Sequence, residues 1–274
     1  MPERRSRPKR SLGQNFLVDE NFQRKIVVAL GAGTDDEVVE IGPGRGALTR
    51  HLVGHVGHLT AVELDDELAA TLAEAYQGRG DVRIMHADVL DVDFSTLSAT
   101  PSALKVVGNI PYNITTPIIF HLLRRPRPRE IVLMVQDDVA DRIVAPVGTK
   151  QYGALSVGVR SVAEVERLFK VGRGAFRPVP GVDSCVIRIR PRFPEPLTAT
   201  QEESLRHLVR AAFQWRRKQL RKILRDHPDL ATPEAEVEAA AAGVGFDPAD
   251  RPERLSPEQF VRLAAALLSV RRPA

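Results

Sequence analysis

The sequence predicts an α/β protein, a mostly parallel sheet with helices on both faces, followed by a small all-helical C-terminal domain. Three observations carry this. Short apolar runs recur and alternate with helix-periodic stretches, as in Val38-Val39-Glu40-Ile41, His58 to Val62, Val82 to His86, Lys105 to Asn109 and Ile131 to Val135. The first run enters a glycine-rich turn, Gly42-Pro43-Gly44-Arg45-Gly46, and then a helix. A stiff proline-rich stretch, Pro191 to Pro196, precedes residues whose periodicity is helical only. Domains are therefore expected over 1–192, opening with a basic arm over 1–10, and over 197–274.

Taken in order, Asp19 caps a helix to Leu30, with Phe22, Ile26, Val27 and Leu30 on its apolar face. Helices are expected over Ala47 to Val53, Asp66 to Tyr76, Thr116 to Leu123 and Asp137 to Val144, each following a strand. Ala154 to Val162 and Cys185 to Ile189 read as β-rich and suggest an antiparallel finish. The last domain reads as three helical stretches, Gln201 to Arg225, Pro233 to Ala242 and Pro257 to Val270.

Composition narrows the function classes. At 43% hydrophobic over 274 residues the chain can bury a proper core, which excludes global disorder. No apolar run is long enough to span a membrane, and the arginine-rich start has no apolar segment behind it, so no secretory signal is expected. The single cysteine, Cys185, reads as a buried strand residue, and the histidines lack metal-ligand spacing, so no metal site is expected. The expected location is cytoplasmic and the expected state a monomer.

The glycine loop admits a nucleotide-type ligand against the backbone, and Glu63, ending the next strand, is placed for the hydroxyls of a ribose. Those two features suit NAD and S-adenosylmethionine equally. Asp88, after the third strand, can accept from an adenine amino group, and acids around the loop suit a cationic cofactor better than a pyrophosphate. No hydride-handling residues accompany them.

Asn109-Ile110-Pro111-Tyr112 ends the fourth strand, where open α/β sheets bind ligands. An amide oxygen and a nearby backbone carbonyl can accept from an amino group on a planar base. They would orient its lone pair and stabilise charge developing on nitrogen. Pro111 stiffens the turn, and Tyr112 offers a face for an extruded base. In the helical domain Arg206, Arg210, Arg216, Arg217, Lys218, Arg221, Lys222 and Arg225 form a single-sign cluster with no acid among them. Beside a base-modifying site, contact with an RNA backbone is the better reading of that cluster.

With these motifs in place, the chain resembles the ribosomal RNA small-subunit adenine N6-dimethyltransferases of the KsgA/RsmA type, over nearly its whole length after the first nine residues. The resemblance rests on Ser11 to Leu17, Val39 to Gly46, Glu63, Asp88, Asn109 to Tyr112 and Ala175-Phe176-Arg177-Pro178-Val179-Pro180 to Ser184. It implies a class I (Rossmann-like) methyltransferase sheet. It implies S-adenosyl-L-methionine held by Asn15, Leu17, Gly42, Gly44, Glu63, Asp88 and Asn109. It assigns the catalytic work to Asn109, Pro111, Tyr112 and Phe176, with Phe176 stacking on the target base opposite Tyr112. Its RNA contacts would be Arg216, Arg217, Lys218, Arg221 and Lys222. The implied activity is dimethylation of two adjacent adenosines in the 3'-terminal hairpin of 16S rRNA in the small ribosomal subunit, with a role in subunit biogenesis. Met134-Val135-Gln136, Lys150 to Val157, Phe213 to Arg221 and Arg251 to Ser256 lean towards this branch. The alternatives are a large-subunit methyltransferase of the macrolide-resistance type and an assembly factor whose binding outweighs catalysis.

Overall fold

In the computed structural model, residues 13–270 are described, so the basic arm over 1–10 lies outside them, as do Ser11 and Leu12. Nine strands appear: β1 Phe16–Leu17, β2 Glu37–Ile41, β3 His58–Glu63, β4 Val82–His86, β5 Lys105–Asn109, β6 Glu130–Gln136, β7 Ala163–Val171, β8 Phe176–Arg177 and β9 Ser184–Pro191. Seven form one sheet in the order β4-β3-β2-β5-β6-β9-β7. The β2–β6 part is parallel, and β9 joins β6 antiparallel, with Ile131 opposite Ile189 and Gln136 opposite Ser184. The expected antiparallel finish is thus present. A separate two-stranded pair, β1 with β8, sets Leu17 opposite Phe176.

The helices of this part are α1 Glu20–Leu30, α2 Thr49–Leu52, α3 Asp66–Ala75, α4 Thr115–Leu122 and α5 Asp137–Val144. Asp19 caps α1 by accepting from the amides of Asn21 and Phe22, and Gly31 ends it in the left-handed conformation. The central strands are apolar on both faces because helices cover both faces. Val106, Val107, Ile131, Val132, Leu133 and Val135 are all fully buried. Gly108 of β5 lies opposite Ile41 of β2. A methyl group there would meet the Ile41 carbonyl oxygen at 2.7 Å, so only glycine fits.

The remaining helices are α6 Ala154–Arg160, α7 Ala199–Gln214, α8 Leu220–Asp226, α9 Glu234–Val244 and α10 Pro257–Val270. Residues up to Ala140 with Val165–Pro191 form one compact unit; Asp141–Glu164 and Arg192 onward form a second. The 141–164 stretch, assigned from sequence to the first domain, therefore clusters with the C-terminal helices.

Two expectations need correction. Ala154 to Val162 is not β-rich: its core is the helix α6, and the strand comes after it, at Ala163–Val171. Leu155, Val157 and Val159 alternate like a strand, but Ser156 between them is equally buried, because α6 packs against both α7 and α10. Burial on several sides erases the helical period from the sequence. The expected helix from Gln201 to Arg225 is also broken. Trp215 ends α7 and packs on the His227 ring at 5.0 Å, and α8 restarts with the amides of Leu220 and Arg221 donating to the carbonyls of Asp250 and Pro248.

Candidate active site and basic turn

A cavity of about 820 Å³ opens at the carboxyl ends of β2, β3 and β5. It brings together Asn15, Leu17, Gly42, Gly44, Glu63, Asn109, Pro111 and Tyr112 from the expected set. Gly42 and Gly44 turn with positive φ, and a methyl group on Gly44 would press on the Phe16 ring at 3.2 Å. The segment over 13–17 thus passes against the glycine loop. It is clipped there by Gln14 donating to Asp65 at 2.9 Å and by the Asn109 amide nitrogen donating to the Asn15 carbonyl at 3.0 Å.

That last contact orients the Asn109 amide. Only its nitrogen can donate to a carbonyl, so its Oδ1 is left as an acceptor on a half-buried side chain at the cavity wall. Tyr112 follows two residues after Ile110, and its hydroxyl meets Ser184 Oγ at 2.7 Å.

Two carboxyl groups line the cavity almost without exposure, Glu40 at 1% and Glu63 at 6%. Burial pushes Glu40 up to about 7, against the hydroxyl bond it accepts from Thr49 at 2.7 Å, and the charge of Glu63 pushes the same way. Burial also raises Glu63, while the amides of Asp65 and Gly44, each at 2.9 Å, pull it down. Such a pair of buried acids favours a cation as the bound group. Phe16 and Arg45 complete the wall, with the guanidinium 4.3 Å from the ring centre. The sequence reading did not assign either residue to the site, and only their position within the two motifs could have pointed to them.

Two expected residues lie elsewhere. Asp88 does not line the cavity; its carboxylate accepts from the Leu90 amide at 2.9 Å. Phe176 is fully buried, in a cluster with Leu17, Met134, Ala175 and Val186. In this arrangement it has no exposed face for a base, because pairing of β8 with β1 turns its ring into the core.

The basic turn is also more selective than its sequence. Arg216 donates to the Thr149 carbonyl at 3.1 Å and pairs with Glu253 at 3.6 Å, and Arg221 pairs with Glu234 and Glu238. Arg217, Lys218 and Lys222 are exposed and form no ion pair among the described residues. The break between α7 and α8 also divides the single-sign cluster between two helices and the turn that joins them. No helix among the described residues is long and apolar enough to cross a membrane, and none of their His, Cys, Asp and Glu side chains cluster as metal ligands.

A sheet of this order, with a glycine loop after β2 and an acid ending β3, defines a class I methyltransferase fold. Solved structures with the same fold include a dimethyladenosine transferase from Plasmodium falciparum, at 25% identity and a TM-score of 0.75, covering 90% of this chain and 95% of that one. Another is the 23S rRNA methyltransferase ErmE, at 30% identity and a TM-score of 0.68, covering 92% and 99%. The family model for ribosomal RNA adenine dimethylase matches residues 5–268, and the chain belongs to that family. Among curated relatives, ribosomal RNA small subunit methyltransferase A of Pseudomonas fluorescens is 42% identical over 269 residues, 98% of this chain and 97% of that protein.

Proposed function

We propose that the protein dimethylates N6 of two adjacent adenosines in the 3'-terminal hairpin of 16S rRNA, acting as a monomer on the small ribosomal subunit in the cytoplasm. The observation that carries this reading is the Asn109 amide, held by the Asn15 carbonyl with its oxygen left to accept. An exocyclic adenine amine is a weak nucleophile because its lone pair is delocalised into the ring. Asn109 Oδ1 and a neighbouring backbone carbonyl accept its two hydrogens, which turns the lone pair out of the ring plane and stabilises the charge that forms on nitrogen.

S-adenosyl-L-methionine, when bound, supplies a methyl group on a positively charged sulfur. The residues present fit it: a glycine loop that lets a ligand lie on the backbone, and two buried acids in the same cavity. Glu63 accepts from the ribose hydroxyls, Gly42 and Gly44 give close approach, and Asn15 and Leu17 cover the ligand. Asp88 reaches the adenine end only if its carboxylate accepts beyond the Leu90 amide. Pro111 stiffens the catalytic loop, and Tyr112 stacks on the extruded base. Phe176 supports the site from the core by holding β1.

The helical unit supplies the RNA contact. Arg217, Lys218 and Lys222 meet phosphates, and Arg216 and Arg221 shape the turn that presents them. Identity of 42% over 98% of the chain to a small-subunit enzyme favours 16S rRNA over the large-subunit alternative.

The test is incubation with methyl-labelled S-adenosylmethionine and either unmethylated small subunits or large subunits. Label digesting to dimethyladenosine from the small subunit is the expected result. Label confined to the large subunit would move the substrate to 23S rRNA. Absence of label with normal cofactor binding would leave the assembly-factor role.

A further inference from the structure

We infer that Ser184 is a positioning residue for Tyr112, holding the ring at the place on the cavity wall that a stacked target base requires. This rests on the stacking role proposed above for Tyr112. Ser184 is the first residue of β9 and is fully buried. Its Oγ lies 2.7 Å from the Tyr112 hydroxyl, from a strand that begins 72 residues later in the chain. Neither side chain makes another hydrogen bond among the described residues.

The serine is well anchored and the tyrosine is not. Ser184 is in register with Gln136 of β6. Its neighbour Asp183 accepts from the Asp137 amide through its carbonyl, at 3.1 Å, and from the Arg173 amide through its carboxylate, at 3.0 Å. Tyr112 opens a single turn of 3-10 helix after Pro111, with no side-chain cap. The phenol oxygen lies on the axis of the outer side-chain torsion, so its bond to a fixed strand leaves the ring's spin alone and fixes where the ring tip lies, and with it the inner torsion that swings the ring along the cavity wall. Burial holds the Tyr112 phenol above its usual range, so it stays a neutral hydroxyl partner at ordinary pH.

Ser184 is outside the cavity wall, whereas Tyr112 is part of it. Loss of the bond should therefore affect RNA turnover and spare the cofactor. The experiment measures methylation of unmethylated small subunits and, by calorimetry, cofactor affinity for the wild type, Ser184→Ala, Ser184→Thr, Tyr112→Phe and the double variant S184A/Y112F. Ser184→Ala should lower kcat/KM about five- to tenfold with cofactor affinity unchanged. Ser184→Thr keeps the hydroxyl and should recover most of the loss. Tyr112→Phe removes the same bond without changing packed volume, so it tests the idea even if Ser184→Ala folds poorly. The double variant should be no worse than either single one, since both delete one interaction.

Wild-type turnover in Ser184→Ala would overturn the inference, and so would losses that multiply in the double variant. Equal weakening of turnover and cofactor binding would also overturn it, by marking Ser184 as a fold residue only. Failure of the wild type itself to methylate small subunits would refute the proposed function and this inference with it. Wild-type methylation with unaffected variants would refute this inference alone.

Discussion

In the cavity, Glu40 and Glu63 carry their carboxyl groups almost wholly out of water, held by a hydroxyl and two backbone amides. In the turn between α7 and α8 and the first turn of α8, Arg217, Lys218 and Lys222 carry their cationic groups in the open, while Arg216 and Arg221 are occupied by acids and a carbonyl. Burial makes each cavity group a specific partner whose loss is felt singly. Exposure makes each cation one of several interchangeable contributors, weak alone and screened by salt. Substitution should separate the two regimes.

The largest effect is expected at Asn109. Asn109→Ala should lower kcat about a hundredfold or more, a larger loss than its loss of cofactor affinity, read by single-turnover kinetics and calorimetry. Next is the pH response of Glu40. Its native pKa of about 7 lies above the ordinary 4.5, so the native state keeps a proton that the unfolded chain gives up between those values. Its contribution to stability is therefore present at pH 4.5 and falls by roughly 3 kcal/mol as pH rises to 7. Urea midpoints across that range should show the slope in wild type and a shallower one in Glu40→Gln, where the raised Glu63 remains. Gly108→Ala should cost about 2 kcal/mol in the same assay, because the Ile41 carbonyl must move.

Glu63→Ala should weaken S-adenosylmethionine binding about tenfold, with little change in turnover at saturating cofactor. The smallest effects belong to the open cations. Arg217→Ala, Lys218→Ala or Lys222→Ala should each reduce affinity for small-subunit RNA a few-fold and lower the salt slope by about one. Arg216→Ala, by contrast, should lower the melting temperature, since its guanidinium ties Thr149 and Glu253.

The legible parts of this molecule were those whose signal is local. Apolar runs closed by Gly42, Glu63 or Asn109 gave the central strands, because strands buried on both faces carry few polar residues to interrupt the run. The Asn-Ile-Pro-Tyr stretch and the glycine loop are each contiguous, and most of their residues meet in the cavity. What escaped depends on distant partners. β7 lies at the sheet edge, and its Glu164, Glu166, Arg167 and Lys170 read as surface. The acids that occupy Arg216 and Arg221 come from Glu253, Glu234 and Glu238, and nothing near the cations announces them. Phe176 reads as an available ring until its strand is seen paired with Phe16–Leu17.

That short ladder has a consequence for how the protein is made. A ribosome releases Phe16 and Leu17 before any other strand of the molecule, and Phe176 and Arg177 only after six more have emerged. The segment that covers the cofactor cavity must wait for its partner through most of synthesis, and β9 must then enter between β6 and β7. Pairings between residues so far apart in the chain form late. A nascent chain halted before Phe176 carries the glycines and buried acids of the cavity and can already close the Gln14–Asp65 and Asn109–Asn15 bonds, but it lacks the strand that pairs with Phe16–Leu17.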